Sequence, residues 1–383
     1  MKKIILIILI ICPLYLISQN CATGGRFLLG TDTQPCDPNP NVIVFEDDFN
    51  TWQLNSSKWT AVNGVVRDQN HVNERQWYTP NNIEVNNETL KLVVKKETLL
   101  NQCFSIWNGS AMQTLCQDFN YTSAEIDSKY KFGWGRYEIR CKIPKGYGFW
   151  PAFWTFGGSY LGQTYKNKID VFEFWNESNN SLSQVVNTNV NFDFDQSGSP
   201  YYCSAKYTGP DYSTSFHIFA VQWTPFSIRW YVDNVCIRTI NRYYQYINGR
   251  VFDCTTSVPC TVSMSKAFPS LVPSKIIANL AIECNNGDEP NSTTPFPSSF
   301  EIDYIRYYKP LPMSSDLTYS SIASVNLSDD FFNAIGGNTI TLNNNFKLGD
   351  NKQLKVVARN TISLNNGFEL GNNCDFEAVI DNR

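Results

Sequence analysis

Charged side chains are scarce in this sequence of 383 residues, since Asp, Glu, Lys and Arg make up 17% of it, whereas soluble proteins carry about 25%. The formal net charge is -4 and no run of like charges occurs, so neither a charged tail nor a nucleic-acid-binding surface is expected. Histidine is limited to two residues and no CxxC pair is present. Zinc centres and histidine-based nucleophilic triads are therefore poorly supplied.

In place of charge the sequence has aromatic rings: 10 Trp, 20 Tyr and 25 Phe, together 14% of the chain. Aromatic faces among neutral polar groups suit flat, uncharged ligands such as sugars, although the same rings also fill β-rich cores. This apolar content excludes a disordered chain. The length suits one large and one small domain, at about 150 residues per domain.

Residues 1–20 have the pattern of a secretory signal peptide. Lys2 and Lys3 precede an apolar run at residues 4–17, and polar residues 18–20 follow it. The run is shorter than the roughly 20 apolar residues that span a bilayer, and no later segment is apolar enough to do so. Cys21 raises the alternative of a lipoprotein, but the small residue expected just before a lipidated cysteine is absent, since Asn20 precedes Cys21. We expect cleavage near residues 18–20 and a product that is secreted, periplasmic or at the cell surface.

The cysteine content fits export. Of twelve cysteines, Cys12 lies in the signal, which leaves an odd number, eleven. Disulfides form in exported proteins, and the short-range pairs we expect are Cys103 with Cys116 and Cys254 with Cys260. The sequence does not determine the remaining connectivity.

Strand patterns dominate the sequence, and no stretch keeps a long 3.6-residue apolar period. Alternating or β-branched runs, separated by turn residues, occur at residues 42–45, 90–94, 136–143, 219–223, 228–232, 275–281 and 300–308. We predict an all-β fold over residues 40–309, an antiparallel sandwich or barrel. Residues 310–330 contain Pro and many Ser, and are predicted to be a linker.

An internal repeat lies beyond the linker. Residues 338–349 recur as residues 360–371, at an offset of 22. Such a period, with alternating Ile and Leu and an Asn or Gly turn, predicts stacked β-coils over residues 331–383. This segment resembles small C-terminal β-stack modules of exported bacterial proteins. We expect an accessory or adhesion role, with carbohydrate binding as the alternative.

Two acidic residues among β-formers mark a candidate active strand at residues 168–175. On a regular strand Lys168 and Asp170 share one face and Glu173 lies on the other. One extra residue, absorbed as a β-bulge, would bring Glu173 to the face of Asp170. Just upstream, residues 146–154 form a dense aromatic stretch that contains two glycines.

From about residue 42 to residue 308 the sequence resembles glycoside hydrolase family 16, the laminarinase and β-glucanase group. The ordered matches are residues 45–49 (FEDDF), 73–82 (NERQWYTPNN), 135–138 (GRYE), 150–154 (WPAFW), 222–225 (QWTP), 230–233 (WYVD) and 303–306 (DYIR). The resemblance implies a curved jelly-roll β-sandwich with a sugar-binding cleft on its concave sheet.

The active strand of that family reads Glu-Ile-Asp, two variable residues, then Glu, which serve as nucleophile, supporting acid and acid/base. The resemblance assigns Asp170 as the supporting acid and Glu173 as the acid/base, and it puts Lys168 at the nucleophile position. An ammonium cannot form the glycosyl ester, and its charge opposes an oxocarbenium-like transition state. We expect Lys168 to pair with Asp170.

Three routes would preserve hydrolysis: direct attack by Asp170, activation of a water by Asp170 in an inverting reaction, or a sequence error at Lys168. Loss of the motif outweighs analogy of fold. We therefore predict a secreted β-glucan-binding protein with absent or severely impaired hydrolysis. The alternative is an active endo-β-1,3(4)-glucanase that works through Glu173 and Asp170. A purely structural surface protein is less favoured.

The resemblance also implies residues that contact the sugar. Asn73 and Arg136 match positions that hydrogen-bond sugar hydroxyls near the catalytic strand. Trp150, Trp154 and Trp175 are candidate stacking platforms, with packing in the core as the alternative for each of them.

Members of the family often bind a structural calcium, for which Asp48 and Asp303 are the candidate ligands, although carboxylates at strand ends usually only face water. Asn191 stands where relatives often carry His. No other cofactor is expected. The expected partner is β-glucan polysaccharide or oligosaccharide, with no nucleic acid and no membrane span, and we expect a monomer.

Overall fold

The structure is a computed structural model that describes residues 42–65, 74–86, 88–107, 111–160, 163–175, 182–192, 201–225, 227–241, 243–247, 250–253, 263–264, 269, 272–283, 289–309, 311, 314–320, 332–343 and 346–380. The predicted signal peptide, Asn73 and the expected pair Cys254–Cys260 lie outside these residues.

The strands are, in chain order, β1 (Val42–Asp47), β2 (Trp59–Ala61), β3 (Gln76–Tyr78), β4 (Ile83–Val85), β5 (Leu90–Val94), β6 (Leu99–Trp107), β7 (Met112–Phe119), β8 (Tyr121–Ser123), β9 (Glu125–Ser128), β10 (Gly135–Lys142), β11 (Phe149–Tyr160), β12 (Gln163–Glu173), β13 (Val185–Phe192), β14 (Tyr201–Thr208), β15 (His217–Trp223), β16 (Ser227–Val232), β17 (Val235–Asn241), β18 (Tyr243–Ile247), β19 (Arg250–Asp253), β20 (Ser263–Met264), β21 (Lys275–Ile282), β22 (Ser298–Lys309), β23 (Asp316–Tyr319), β24 (Ala334–Leu342), β25 (Lys347–Leu348), β26 (Gln353–Leu364), β27 (Glu369–Leu370) and β28 (Asp375–Ile380). Two short 3₁₀ helices, Pro80–Asn82 and Leu182–Gln184, precede β4 and β13.

Two antiparallel sheets make up the main body. The seven-stranded sheet has the order β14-β13-β12-β11-β21-β9-β2. The eight-stranded sheet has the order β17-β16-β15-β10-β22-β5-β4, and its β22 also pairs with β1. The predicted all-β jelly-roll sandwich is therefore confirmed, and the candidate active strand β12 lies near the middle of the seven-stranded sheet.

The core lies between the two sheets because alternate residues of each strand turn inward. On β10, Tyr137, Ile139 and Cys141 are fully buried. Across the core, the Phe172 ring of β12 lies 4.7 Å from the Phe219 ring of β15, centroid to centroid. Many of the aromatic residues of the sequence fill the core in this way. The opposite face of β12 does not contribute to the core.

A disulfide joins Cys103 and Cys116 across the hairpin of β6 and β7, as expected. The hairpin is attached to the main body by packing of Phe119 against Trp77, with ring centroids 5.3 Å apart. No helix in the described ranges has the length and apolar content that a membrane crossing would require.

The C-terminal repeats form parallel strands with the 22-residue offset of the sequence. Ile340 of β24 pairs with Ile362 of β26, and Leu354 of β26 pairs with Phe376 of β28. The predicted linker differs from expectation because it contains β23, which pairs in parallel with β24. Leu317 of β23 pairs with Ile340 of β24. β23 therefore adds one more strand to the parallel stack formed by the repeats.

The repeat segment packs on the main body through Phe332. This ring is 7% exposed and lies against Phe45, Phe132 and Tyr130, at centroid distances of 5.8, 5.5 and 5.1 Å. The Tyr130 hydroxyl also donates a hydrogen bond to Asp375 of β28.

Candidate functional site

A β-bulge interrupts β12 between its two acidic residues. Asp170 pairs with Asn189 of β13, and Glu173 pairs with Asn187. Three steps along β12 therefore match two steps along β13, so β12 holds one extra residue, as in a bulge. The register of β12 with β11 shifts at the same place. The bulge that was expected from the sequence is present.

The bulge decides which side chains share the cleft face of β12. Val171 and Phe172, which are consecutive, are both buried in the core between the sheets. Lys168, Asp170 and Glu173 consequently lie on the opposite face, which we call the cleft face. A regular strand would have turned Glu173 into the core.

The three polar side chains meet at one ammonium group. Lys168 Nζ lies 3.0 Å from Asp170 Oδ1 and 3.4 Å from Glu173 Oε1. Because both oxygens contact the same nitrogen, the distance between them is at most about 6.5 Å. The carboxyl groups of retaining glycosidases are about 5–5.5 Å apart. The predicted pairing of Lys168 with Asp170 is present, and Lys168 pairs with Glu173 as well.

Burial differs sharply within this cluster. The Asp170 side chain is 0% exposed and that of Glu173 is 6% exposed, whereas Lys168 is 25% exposed. A ligand in the cleft therefore meets the lysine first. The carboxyl oxygens of Asp170 are out of its reach.

Burial raises the pKa of the Asp170 carboxyl, the nearby charge of Glu173 raises it further, and the Lys168 ammonium opposes both effects. The cluster holds two carboxylates for one ammonium. Ionising both carboxylates in a buried site is costly, so the cluster favours retention of a proton.

The core side of Asp170 is held by two buried side chains. Trp230 Nε1 donates a 2.8 Å hydrogen bond to the backbone carbonyl of Asp170. The Arg238 guanidinium lies 4.3 Å from the centre of the Trp230 ring and donates to the carbonyls of Thr188 and Cys203. Burial lowers the pKa of Arg238, and the charge of Asp170 opposes that shift. These contacts tie β17 of one sheet to β13 and β14 of the other.

Trp154, on β11, supports Lys168 from the side. Lys168 Nζ lies 5.0 Å from the centre of the Trp154 ring, and Trp154 Nε1 donates to Asn279 Oδ1 at 2.9 Å. Asn279 in turn donates to Tyr78, whose hydroxyl donates to Glu74. Trp154 is only 6% exposed. It is therefore placed to hold the lysine, and little of its ring is available for stacking on a sugar.

Trp150 and Trp175 lie next to each other on the cleft face. Their rings meet edge to face, with centroids 5.6 Å apart, and both are half-buried. Trp150 Nε1 has no hydrogen-bond partner among the described residues. The role of Trp150 and Trp175 as stacking platforms for a sugar stays a prediction.

Sequence reasoning missed most of the amide side chains along β13. Asn187 Nδ2 donates to the Glu173 carbonyl at 3.1 Å, and Asn189 Oδ1 accepts from Ser204. Within the described part of the chain, Asn187 Oδ1 and Asn191 Oδ1 have no partner. The signal was present in the alternation of Asn with Val over residues 185–191, which is typical of a strand with one polar face.

The expectation for Arg136 is wrong. Arg136 belongs to β10 of the eight-stranded sheet, and its neighbour Tyr137 points into the core. Its side chain lies on the outer face, where it pairs with Glu138 at 2.7 Å and stacks on Tyr231 at 4.9 Å. Alternation along the sequence indicates the face of a side chain but not the sheet that its strand joins.

Asp48 and Asp303, the predicted calcium ligands, are not joined by further acidic ligands among the described residues. Asp303 pairs with Arg140, and Asp48 accepts a hydrogen bond from Asn50 Nδ2 at 2.6 Å. Among the described residues, no three His, Cys, Asp or Glu side chains form a group that could hold a metal ion. The calcium site stays a prediction.

Two known proteins are similar to this chain in sequence. Glucan endo-1,3-beta-glucosidase A1 of Niallia circulans is 28% identical over 297 residues, which cover 73% of this chain and 39% of that protein. Beta-glucanase of Rhodothermus marinus is 29% identical over 201 residues, which cover 49% of this chain and 63% of that protein. The chain thus spans less than two thirds of either relative.

A similar structure is LamAcat from Zobellia galactanivorans. It superimposes with a TM-score of 0.53 at 24% identity and covers 70% of this chain and 98% of that one. At this identity the likeness shows the fold alone. The sequence profile described as Glycosyl hydrolases family 16 matches residues 70–278, more than half of the chain. On this match, and with the active strand and its bulge in place, the chain belongs to glycosyl hydrolases family 16.

Proposed function

We propose that this protein is exported, binds β-glucan in the cleft of the seven-stranded sheet, and hydrolyses it poorly or not at all. Family membership and the two glucan-acting relatives support a polysaccharide ligand. The observation that carries the rest is that Lys168, which is 25% exposed, pairs with Asp170 and Glu173, which are only 0% and 6% exposed.

The chemistry of the cluster supports weak catalysis. A retaining reaction needs one carboxylate to attack the anomeric carbon while a second carboxyl protonates the leaving oxygen. Asp170 is fully buried and therefore cannot reach that carbon, and Lys168 cannot form the ester. A fixed positive charge also disfavours the positive charge that develops on the sugar ring.

The wall of the cleft supports binding. Asn189, Asn191, Trp150 and Trp175 are half-buried on the cleft face, so part of each side chain is accessible to a ligand. Amide groups can exchange hydrogen bonds with sugar hydroxyls, and aromatic rings can pack on the apolar faces of sugar rings.

The second candidate function is an active endo-β-glucanase, and one observation favours it. The oxygens of Asp170 and Glu173 lie within about 6.5 Å of each other, which suits a retaining pair better than the 6.5–9.5 Å of an inverting pair. In this alternative Lys168 swings out of the site, Asp170 attacks and Glu173 protonates the leaving group.

The test combines binding with turnover on laminarin and lichenan. Affinity electrophoresis and reducing-end release are measured for the native protein, for Lys168→Glu and for Glu173→Gln. The proposal expects retarded migration of the native protein in glycan gels, with reducing ends at background. Turnover by the native protein that Glu173→Gln abolishes would establish the alternative, and migration unaffected by either glycan would overturn the binding site itself.

Export and the metal belong to the same proposal and have simpler tests. Mass spectrometry of the protein from the culture medium should show an N-terminus near residues 18–20. Binding of the glycan requires no cofactor in this proposal.

If calcium binds at Asp48 and Asp303, a chelator should lower the melting temperature of the native protein and leave that of Asp303→Asn unchanged.

A further inference from the structure

Two aromatic side chains stand exposed on the cleft face, one on each side of Lys168. Phe156 of β11 is 42% exposed and Tyr202 of β14 is 55% exposed. Large exposed rings on a face that also holds a functional cluster mark a contact surface for a ligand. Neither residue was among those that the sequence singled out.

Strand pairing puts both rings in one row across the sheet. Phe156 pairs with Lys168, Lys168 pairs with Asn191, and Asn191 pairs with Tyr202. Neighbouring strands lie about 4.8 Å apart, so the backbones of Phe156 and Tyr202 are separated by about 14 Å. A short oligosaccharide can span this distance.

Side-chain contacts confirm that Phe156 faces the cleft. Its ring meets that of Trp154 edge to face, with centroids 5.9 Å apart. Trp154 is the residue over which the Lys168 ammonium lies. Phe156 and the ammonium therefore lie on the same face of the sheet.

Alternation along β14 sets the direction of Tyr202. Cys203 is 3% exposed and belongs to the core, so Tyr202 and Ser204 point the other way. Ser204 Oγ donates a 2.9 Å hydrogen bond to Asn189 on the cleft face. Tyr202, two residues from Ser204, is on this face as well.

We propose that Phe156 and Tyr202 are the stacking platforms for a single neutral glycan chain that lies across the strands, with its middle over Lys168 and Asn191. This inference rests on the proposed function and specifies how the cleft holds its ligand. The apolar C–H faces of pyranose rings suit aromatic faces, and the half-buried Asn191 lies between the two platforms in the row. The platforms thus select an extended chain of uncharged sugars.

The experiment measures dissociation constants by calorimetry for the hexasaccharide and the disaccharide of laminarin. Phe156→Ala and Tyr202→Ala should each weaken binding of the hexasaccharide roughly threefold to tenfold. Because the two sites are far apart, the double variant should show about the product of the two losses. The disaccharide cannot reach both platforms, so for it the double variant should lose no more than the weaker-binding single variant.

Matched variants make the outcome specific. Phe156→Tyr and Tyr202→Phe keep a ring at each position and should bind within about twofold of the native protein. Trp52→Ala removes an aromatic side chain that is 76% exposed between β1 and β2, and should leave the affinity unchanged. Native affinity for the hexasaccharide in both alanine variants would overturn the platforms while the proposed function stands. A native protein that binds no glycan would overturn the proposed function and this inference with it.

Discussion

At the scale of single residues, the site depends on the pairing of the Lys168 ammonium with two carboxylates, those of Asp170 and Glu173. Lys168 lies within 3.4 Å of both acids, and Asp170 has no contact with solvent. Removing one partner from a buried ion pair leaves a charge without compensation, which costs more than the pair itself contributes. The cation that we propose to obstruct hydrolysis is therefore also expected to stabilise the fold.

Lys168→Met should lower the free energy of unfolding by about 1–3 kcal/mol at pH 8, less than for a fully buried pair because Lys168 is partly exposed. The loss should shrink at pH 5, where a carboxyl of the cluster can take up a proton. Urea denaturation at both pH values measures this. Lys347→Met is the control, since Lys347 and Glu369 form a pair whose side chains are 61% and 57% exposed, and it should cost less than about 0.5 kcal/mol. Equal losses for the two variants would contradict the account.

Asp170→Asn should change how stability depends on pH. Because the folded protein raises the pKa of Asp170, it holds the proton more tightly than the unfolded chain does. The resulting stabilisation is complete below the unfolded value of about 4 and is lost as pH rises through the folded value. The stability of the native protein relative to the variant should therefore fall from pH 4 towards alkaline pH. A relative stability that rises with pH would show that Asp170 is ionised and held by Lys168.

At the scale of elements, the bulge in β12 sets the direction of every side chain around it. Val171 and Phe172 both face the core, and Phe172 packs against Phe219 and Phe300 of the eight-stranded sheet, at centroid distances of 4.7 and 6.0 Å. Because Val171 and Phe172 are both buried in the core, Asp170 and Glu173 stay on the cleft face.

Phe172→Ala should lower the free energy of unfolding by about 3–5 kcal/mol, since it empties a fully buried aromatic position. Phe156→Ala, on the neighbouring strand, removes the same side chain from the exposed face and should change stability by less than about 0.5 kcal/mol. Chemical denaturation of the pair reports the contrast directly. Similar losses for both would mean that the faces of β11 and β12 are assigned wrongly.

The bulge of β12 could be predicted from the sequence, whereas the positions of some residues on other strands could not. The spacing of Asp170 and Glu173 implies the bulge once both acids are required on one face. The place of Arg136 could not be predicted in the same way, because its strand is next to β15 and β22 only through long-range pairing. Phe156 and Tyr202 were missed for that reason as well, since strand pairing puts them in one row with Lys168 although they are far from each other along the chain.

At the scale of the whole molecule, the repeat segment and the sandwich share a hydrophobic contact. Phe332 is buried among Phe45, Tyr130 and Phe132 of the sandwich. Aromatic packing of this kind couples the unfolding of two segments, because separating them exposes apolar surface.

Phe332→Ala should weaken this coupling. We expect one calorimetric transition for the native protein and two for the variant, with a loss of about 2–4 kcal/mol at the contact. Trp52→Ala, which removes an exposed ring, should keep the native transition. A single unshifted transition in Phe332→Ala would show that the contact does not hold the two segments together.

We propose that Lys168 separates the acids of the family 16 site from their glycan. The most direct measurement is the release of reducing ends from laminarin by the native protein and by its Glu173→Gln variant, at equal concentration and over the same hours. We expect both proteins to release no more reducing ends than the buffer does, while calorimetry on the same samples shows that both bind the glycan. Release by the native protein that disappears in Glu173→Gln would contradict it.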